Sequence, residues 1–177
     1  MKKIVVLMIV VAFVFVACGK GEAGGPKKLY YPEWWQEQNS PDYVQTYGMG
    51  TKVSQNSSYD AAYANAMLAA AQYVETYVKG MVKNYEEEAG VKDPQVLALT
   101  SKVVKAVANA KFNNVMVTKQ ETIVTNDNLY QTFVRVSVPK EAVNKNLVDQ
   151  IKNEEALYNQ FKASQAFDEL DSEVEKY

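Results

Sequence analysis

The chain has 177 residues, a formal net charge of -2, no histidine and a single cysteine. The lack of histidine excludes a histidine-based catalytic triad and a histidine-containing zinc site within this chain, and one thiol excludes an internal disulfide framework. The slightly acidic balance argues against electrostatic binding of nucleic acid. We therefore expect neither an enzyme nor a nucleic-acid partner.

The first eighteen residues have the pattern of a secretory signal. Two lysines precede the apolar run 4–16, which is followed by Ala17 and Cys18. The run is too short for a comfortable membrane span, and a small residue at its end is typical of a cleavage point. Phe-Val-Ala-Cys at 15–18 resembles a bacterial lipobox. The resemblance implies that residues 1–17 are removed and that Cys18 carries a diacylglycerol and an N-acyl chain of the palmitate type; a secreted protein with a spare thiol is the alternative.

The next segment, residues 18–40, is predicted to be a tether with an aromatic end. Residues 19–28 hold four glycines and one proline, a composition that cannot bury apolar surface. Both tryptophans, Trp34 and Trp35, then follow two tyrosines and Pro32. We expect these aromatic side chains to cap the core where the chain enters a single domain, residues 41–162. The alternative is a belt against the membrane or a partner.

The domain is predicted to begin with a strand and a long helix. Residues 42–54 alternate as a strand does, and Gly48 and Gly50 indicate either a bulge or a close approach by another element. Ser57 at the N-cap and Asp60 three residues later predict a helix that runs to about Ala89. Its small side chains favour close packing on a sheet. The apolar stripe predicted for it comprises Ala64, Met67, Ala71, Val74, Val78, Met81 and Tyr85.

Four tyrosines lie beside that stripe. At 100° per residue they fall within an arc of about 80°, and they are Tyr59, Tyr63, Tyr73 and Tyr77. They are interpreted either as the shoulder of the core or as a contact strip for a neighbouring subunit. The acidic triplet 86–88 at the end of the helix opposes the macrodipole and is expected to be solvated.

A second helix and a hairpin are predicted next. Asp93 followed by Pro94 is typical of a helix start, and this helix is expected to reach about residue 110. Residues 114–125 and 129–138 read as two strands joined by a two-residue turn, with Thr125 paired to Asn128. This register places most apolar side chains on one face, but it also places Lys119 there with Glu121, which only a bulge or a sheet edge would explain.

The C-terminal part is predicted to be helical. Pro139 opens a helix whose stripe contains Val143, Leu147, Ile151, Tyr158 and Phe161. Its phase slips near Ser164, and residues 163–177 form a separate acidic amphipathic helix. That helix is expected either to dock back on the domain or to pair with a partner helix.

The order strand, helix, helix, strand, strand, helix predicts an α+β fold. We expect a two-layer sandwich in which a small, mostly antiparallel, three-stranded sheet is covered by helices on one face. Gln131, Phe133 and Arg135 would then lie on the open face, where the only arginine of the chain could anchor a ligand. The alternative for Arg135 is a solvated cross-strand contact.

Few residues indicate catalysis. Ser137 and Lys140 have the S-x-x-K spacing of some acyl enzymes, but the strand-to-helix junction favours a serine that caps the helix opened by Pro139. Carboxylates occur only in runs, and no glycine-rich phosphate loop follows a strand.

Four features resemble the small bacterial lipoproteins named for the twenty-kilodalton Lpp antigen of epsilonproteobacteria, a family related to FlgP and to the amino-terminal domain of FlgT. They are the lipobox at Cys18, the Pro-Glu-Trp motif at 32–34, the Tyr-Gly-Met-Gly strand at 47–50 and the alanine-rich helix that follows. The resemblance covers roughly residues 30–140. It implies a non-enzymatic protein of the outer membrane, held by its lipid anchor, with envelope proteins or further copies of itself as partners and no cofactor beyond the acyl chains. The alternative is a periplasmic or surface module that binds peptidoglycan, a glycan or a small ligand on the open sheet face.

Overall fold

The computed structural model describes residues 29–37, 40–111 and 115–176. The chain divides into two units, residues 1–31 and 32–177. Of the first unit only Leu29, Tyr30 and Tyr31 are described, and their side chains are exposed. The predicted signal, Cys18, the glycine-rich tether and Tyr177 lie outside the described residues. Every described helix and strand belongs to the second unit.

The second unit is a two-layer α+β sandwich with an open, antiparallel, three-stranded sheet of order β1-β3-β2. The predicted fold class and element order are therefore confirmed. The elements in chain order are β1 (Tyr43–Lys52), α1 (Gln55–Glu88), α2 (Pro94–Ala108), β2 (Met116–Val124), β3 (Tyr130–Pro139), α3 (Lys140–Lys152), α4 (Glu155–Phe161) and α5 (Gln165–Val174).

Helix α1 lies directly on β1 because the facing residues are small. A Cβ at Gly48 or at Gly50 would stand less than 3.0 Å from the backbone of α1, at Ala62 and Ser58 respectively. The register of β1 with β3 is continuous. Of the two predicted roles for the glycines, close approach is thus the one that the structure has. The hydroxyl of Thr46 adds a hydrogen bond of 2.8 Å to the Ala66 carbonyl.

The apolar stripe predicted for α1 is wrong in its first half. Ala64 is exposed, while the residues buried on the sheet follow at intervals of four. Rows of residues four apart are inclined to the helix axis, so a helix that crosses strands obliquely contacts them along such a row. The buried row is Ser58, Ala62, Ala66, Ala70, Val74, Val78 and Val82, and Tyr85 continues it.

The predicted N-cap of α1 is also corrected. Ser54, not Ser57, caps the helix: its side chain accepts a hydrogen bond from the Ser57 backbone N–H at 3.3 Å. The N-cap lies three residues earlier than expected because the strand ends at Lys52 and leaves Ser54 free to cap. The cap of α2 is as predicted, with Asp93 accepting from the Gln95 N–H at 2.8 Å.

The hairpin departs from its predicted register by one residue over most of its length. Thr125 pairs with Leu129 rather than Asn128, because Asn128 adopts a positive φ of 56° and lengthens the turn to three residues. A register shift between Val117 and Lys119 then restores the predicted pairing of Val117 with Val136. Because of this shift Lys119 pairs with Arg135 and leaves the apolar face. Of the two explanations considered for the position of Lys119, a bulge or a sheet edge, the bulge is thus the one that applies.

The helix predicted from Pro139 is two helices, α3 and α4. Asn153 and Glu154 interrupt it, with Glu154 in an extended conformation. From Ile151 the next buried residue is Leu157, a spacing of six that one straight helical stripe does not allow. The interruption therefore resets the phase so that α4 also faces the core.

The acidic C-terminal helix α5 docks on its own domain. Phe167 is buried and contacts Tyr85 of α1 edge-on, with ring centroids 5.6 Å apart. The ring of Phe161 in α4 lies at a tilt to it, with centroids 6.2 Å apart. Glu88 is exposed, as expected for the acidic triplet. Its carboxylate also accepts hydrogen bonds from the Ser164 hydroxyl at 2.8 Å and the Ala166 N–H at 3.0 Å. The end of α1 thus holds the start of α5, where the macrodipole favours a carboxylate.

Candidate functional site

The face of the sheet opposite α1 carries an aromatic cluster made by the segment before β1. Trp35 lies edge-on over Phe133 with ring centroids 5.2 Å apart, and it also contacts Tyr47 at 5.5 Å. Trp34 stacks on Tyr47 at 6.5 Å. A turn holds both tryptophans over the strands, since the Trp35 N–H donates to the Pro32 carbonyl at 2.9 Å. The aromatic cluster thus caps the domain as expected, and it does so on the face of the sheet that points away from α1.

Arg135 fastens the same segment to the sheet. Its Nη1 lies 3.2 Å from the Glu37 carboxylate, and its Nε donates to the Thr118 hydroxyl at 3.0 Å. The Tyr47 hydroxyl donates to the Glu37 carbonyl. The Arg135 side chain is only 12% exposed. Its guanidinium is thus engaged by the chain itself. Of the two interpretations, the cross-strand contact is the one that the structure has, at Thr118, although the side chain is largely buried rather than solvated.

The three residues predicted to line an open face have different surroundings. Phe133 is fully buried because Trp35 covers it, so the expectation of an open face is wrong at this position. Gln131 is half-buried and its side-chain amide donates to the sulfur of Met49. This face is therefore covered at Phe133. The sequence did not reveal this because the pattern of β3 does not show which loop covers it.

The four tyrosines of α1 do not form one continuous surface. Tyr59 and Tyr63 stack on each other with ring centroids 6.2 Å apart, Tyr63 being exposed. Tyr77 is half-buried and donates to the Asn144 side chain of α3 at 3.1 Å, and burial raises its pKa. Tyr73 is 48% exposed and lies toward β1. The strip divides in this way because the buried row of α1, whose members are four residues apart, turns by about 40° around the helix at each step.

An open cleft of about 660 Å³ lies beside the aromatic cluster. Three tyrosine rings from β1 and α1 line it together with amide and charged side chains. Aromatic faces beside amide and ammonium groups suit sugar rings and the carboxylates attached to them. The residues used below are Tyr43, Gln45, Tyr47, Tyr73 and Lys140.

A second groove of about 370 Å³ lies between α1 and α2. Its floor includes Val82 and Val104, and Leu97 is 38% exposed at its side. Lys79 and Lys83 stand on its rim. The groove is shallow and mixed in character, and the described contacts do not indicate an occupant.

The S-x-x-K pair is not arranged as a nucleophile and its base. Ser137 is buried and its hydroxyl lies 3.0 Å from that of Thr118, while Lys140 Nζ donates to the Ser40 carbonyl at 3.4 Å. The expectation that Ser137 caps the next helix is wrong as well, since Pro139 occupies the N-cap of α3 with no side-chain hydrogen bond. The reason is that β3 continues to Pro139, so Ser137 still belongs to the strand, two residues before the N-cap.

The described residues hold neither a cluster of metal ligands nor a helix that could cross a bilayer. Among residues 29–37, 40–111 and 115–176, no group of three or more acidic or cysteine side chains is placed to hold a metal ion. Within the same ranges no helix has the length and apolar character needed to cross a bilayer.

Comparison with known proteins adds no relative. No family model matches the chain, and no curated protein or solved structure matches it.

Proposed function

We propose that this protein is a lipid-anchored lipoprotein of the bacterial envelope with a structural, assembly or interaction role and no catalytic activity. The observation that carries the proposal is the Phe-Val-Ala-Cys sequence at the end of a short apolar run that two lysines precede. Acylation of Cys18 would supply several hydrocarbon chains, and each buried methylene contributes about 0.8 kcal/mol to membrane binding. We further propose membership of the twenty-kilodalton Lpp antigen family and a place in the outer membrane.

The folded unit supports a role in interaction rather than in chemistry. The two polar side chains with a catalytic spacing, Ser137 and Lys140, are used in structural hydrogen bonds. Its accessible features are instead aromatic side chains, an edge strand and shallow clefts.

Fractionation of the native host tests the anchor. We expect the wild-type chain in the membrane fraction, with mass spectrometry showing a mature N-terminus at Cys18 that bears diacylglycerol and an amide-linked acyl chain. Cys18→Ser should move the protein to the soluble fraction or leave its leader uncleaved. Phe15→Leu, which strengthens the lipobox resemblance, is the matched control and should remain in the membrane. An unmodified Cys18 in wild-type protein would overturn the proposal.

A second candidate function is binding of peptidoglycan or another glycan in the cleft beside the aromatic cluster. The observation in its favour is the convergence of Tyr43, Tyr47 and Tyr73 with Lys140. A sugar ring can stack on tyrosine, and the ammonium group of Lys140 can pair with a stem-peptide carboxylate.

A pull-down with murein sacculi tests this candidate. Tyr73→Ala should reduce the bound fraction, whereas Tyr63→Ala, an exposed tyrosine of the same helix outside the cleft, should leave it unchanged. Arg135→Ala should also reduce binding, because Arg135 holds Glu37 at the cleft wall. If wild-type protein does not bind sacculi, the structural role alone remains.

A further inference from the structure

Strand β2 forms an exposed edge of the sheet. The order β1-β3-β2 gives it one neighbour among the described strands. Its first five residues are all exposed, and the apolar side chains of Met116 and Val124 are 42% and 62% exposed. An edge strand presents unpaired backbone donors and acceptors to any other strand that approaches. A nine-residue edge with exposed apolar side chains is therefore suited to pairing with another strand.

The sequence of β2 is complementary to itself when it is reversed. Gln120 is the middle residue, with Lys119 before it and Glu121 after it. If two copies pair antiparallel about a two-fold axis at Gln120, Lys119 of one protomer lies opposite Glu121 of its partner. The symmetry then repeats this pair on the other side of the axis. Opposite charges directly across two strands stabilise their pairing, and a two-fold interface requires a surface that is complementary to itself.

The bulge in β2 also matches the apolar ends of the strand. Because Thr118 is the extra residue, the strand before it is displaced by one position. Ile123 then meets the partner's Met116, and Val124 meets the partner's Val115. Met116 and Ile123 pair with Ser137 and Gln131 in β3, two residues of the same sheet face, so their side chains would meet on that face. Exposed apolar side chains on both flanks would thus become covered in the pair.

The charged side chains of β2 would disfavour pairing with an arbitrary strand but would favour pairing with β2 of a second copy. A lysine on an edge strand discourages pairing with an arbitrary strand, but the partner's Glu121 offsets the charge of Lys119 in a self-pair. The other edge strand, β1, has no such match, since Lys52 is its single charged residue. Charge complementarity thus distinguishes β2 from β1 and selects this chain as its own partner.

The start of α1 lies beside the same edge. Tyr59 and Gln120 line one small cleft, and the Tyr59 ring stacks on Tyr63. A second copy paired at β2 would approach this end of α1. The N-terminal half of the tyrosine strip therefore adjoins the self-complementary edge, in keeping with the interpretation of those residues as a subunit contact.

We propose that two copies of the chain join edge to edge through β2, centred on Gln120, and form a continuous six-stranded antiparallel sheet. The partner is a second copy of this chain. A function for this dimer rests on the assembly role proposed above.

Charge reversal tests the register. Lys119→Glu or Glu121→Lys would place like charges opposite each other twice in every pair, and should weaken dimerisation by about tenfold or more. The double variant Lys119→Glu/Glu121→Lys should dimerise like the wild type. An equimolar mixture of the two single variants should also dimerise, since each carries the charges that the other needs. Sedimentation of the full-length chain in mild detergent measures each mass, and circular dichroism checks the fold. Equal dimerisation of all variants would overturn the proposal.

A disulfide tests the two-fold axis. Gln120→Cys in a Cys18→Ser background should form an oxidised dimer, because residues directly opposite in antiparallel strands have Cα atoms about 4.5–5.5 Å apart, within disulfide range. Thr51→Cys in the same background is the matched control, an exposed position on the opposite edge strand, and should remain monomeric on oxidation. A dimer at position 51 but not at 120 would contradict the proposal.

The two proposals can fail separately. Carrying Cys18→Ser through the charge-reversal series as well removes any acyl chain, so self-pairing is measured without the anchor. A dimer from a chain whose wild-type form is not acylated would support the edge contact and refute the lipoprotein function. An acylated wild type with a monomeric, uncrosslinked domain would do the reverse.

Discussion

Gly48 lies so close to Ala62 that no side chain can fit between β1 and α1. A Cβ on Gly48 would overlap the Ala62 carbonyl oxygen and also approach the Ala66 backbone. Ala62 and Ala66 are fully buried in the row of residues that α1 packs on the sheet. The contact therefore lies between the two layers of the sandwich. The separation of the two layers is therefore set by the smallest residues in each.

We expect Gly48→Ala to destabilise the domain by about 2–3 kcal/mol, because the backbone atoms that it meets cannot move aside as a flexible side chain would. Urea unfolding followed by circular dichroism measures the change as a lower midpoint. An unchanged midpoint would show that α1 does not pack directly on β1.

Gly80→Ala is the matched comparison, and we expect it to stabilise the domain instead of destabilising it. Gly80 lies within α1, is exposed, and a Cβ there would meet no atom within 4 Å. Alanine restricts the unfolded chain and favours the helix, so the free energy of unfolding should rise by about 0.5–1 kcal/mol. A fall in stability would mean that this part of α1 is not helical or that Gly80 is covered.

The sequence predicted the element order because helix caps, prolines and alternation are local signals. It could not predict the hairpin register, since the positive φ of Asn128 and the bulge beside Thr118 each shift the pairing by one residue and compensate one another. It also missed the cover over Phe133, because the contact with Trp35 joins residues far apart in the chain. The docking of α5 was one of two alternatives that its acidic amphipathic pattern left open.

The cover over Phe133 should be required for stability. Trp35→Ala would expose Phe133 and remove the ring contacts with Tyr47, and we expect a loss of about 2 kcal/mol, below the range for a fully buried tryptophan. Leu68→Ala, at a position 60% exposed on α1, should change stability by less than about 0.5 kcal/mol. Thermal unfolding compares the two. Equal effects would indicate that the aromatic segment does not hold the second face of the sheet.

Glu88 should make the docking of α5 sensitive to acid. The backbone N–H of Ala166 and the hydroxyl of Ser164 donate to its carboxylate and lower its pKa. A lowered carboxyl pKa means that the charged form is stabilised by folding, so its contribution is complete above the ordinary value of 4.5 and is lost as the pH falls through the lower folded value. Glu88→Gln should therefore unfold more readily than wild type at neutral pH.

The difference between wild type and Glu88→Gln should shrink as the pH falls from 4.5 through the lower pKa of the folded state, because below that pKa the wild-type carboxyl is neutral too. Urea midpoints at several pH values measure this convergence. Glu87→Gln is the control, since the exposed Glu87 carboxylate pairs only with Lys83 one turn away among the described ion pairs. Its effect should be small at every pH. A gap that stays constant between wild type and Glu88→Gln would show that the carboxylate at position 88 does not hold the start of α5.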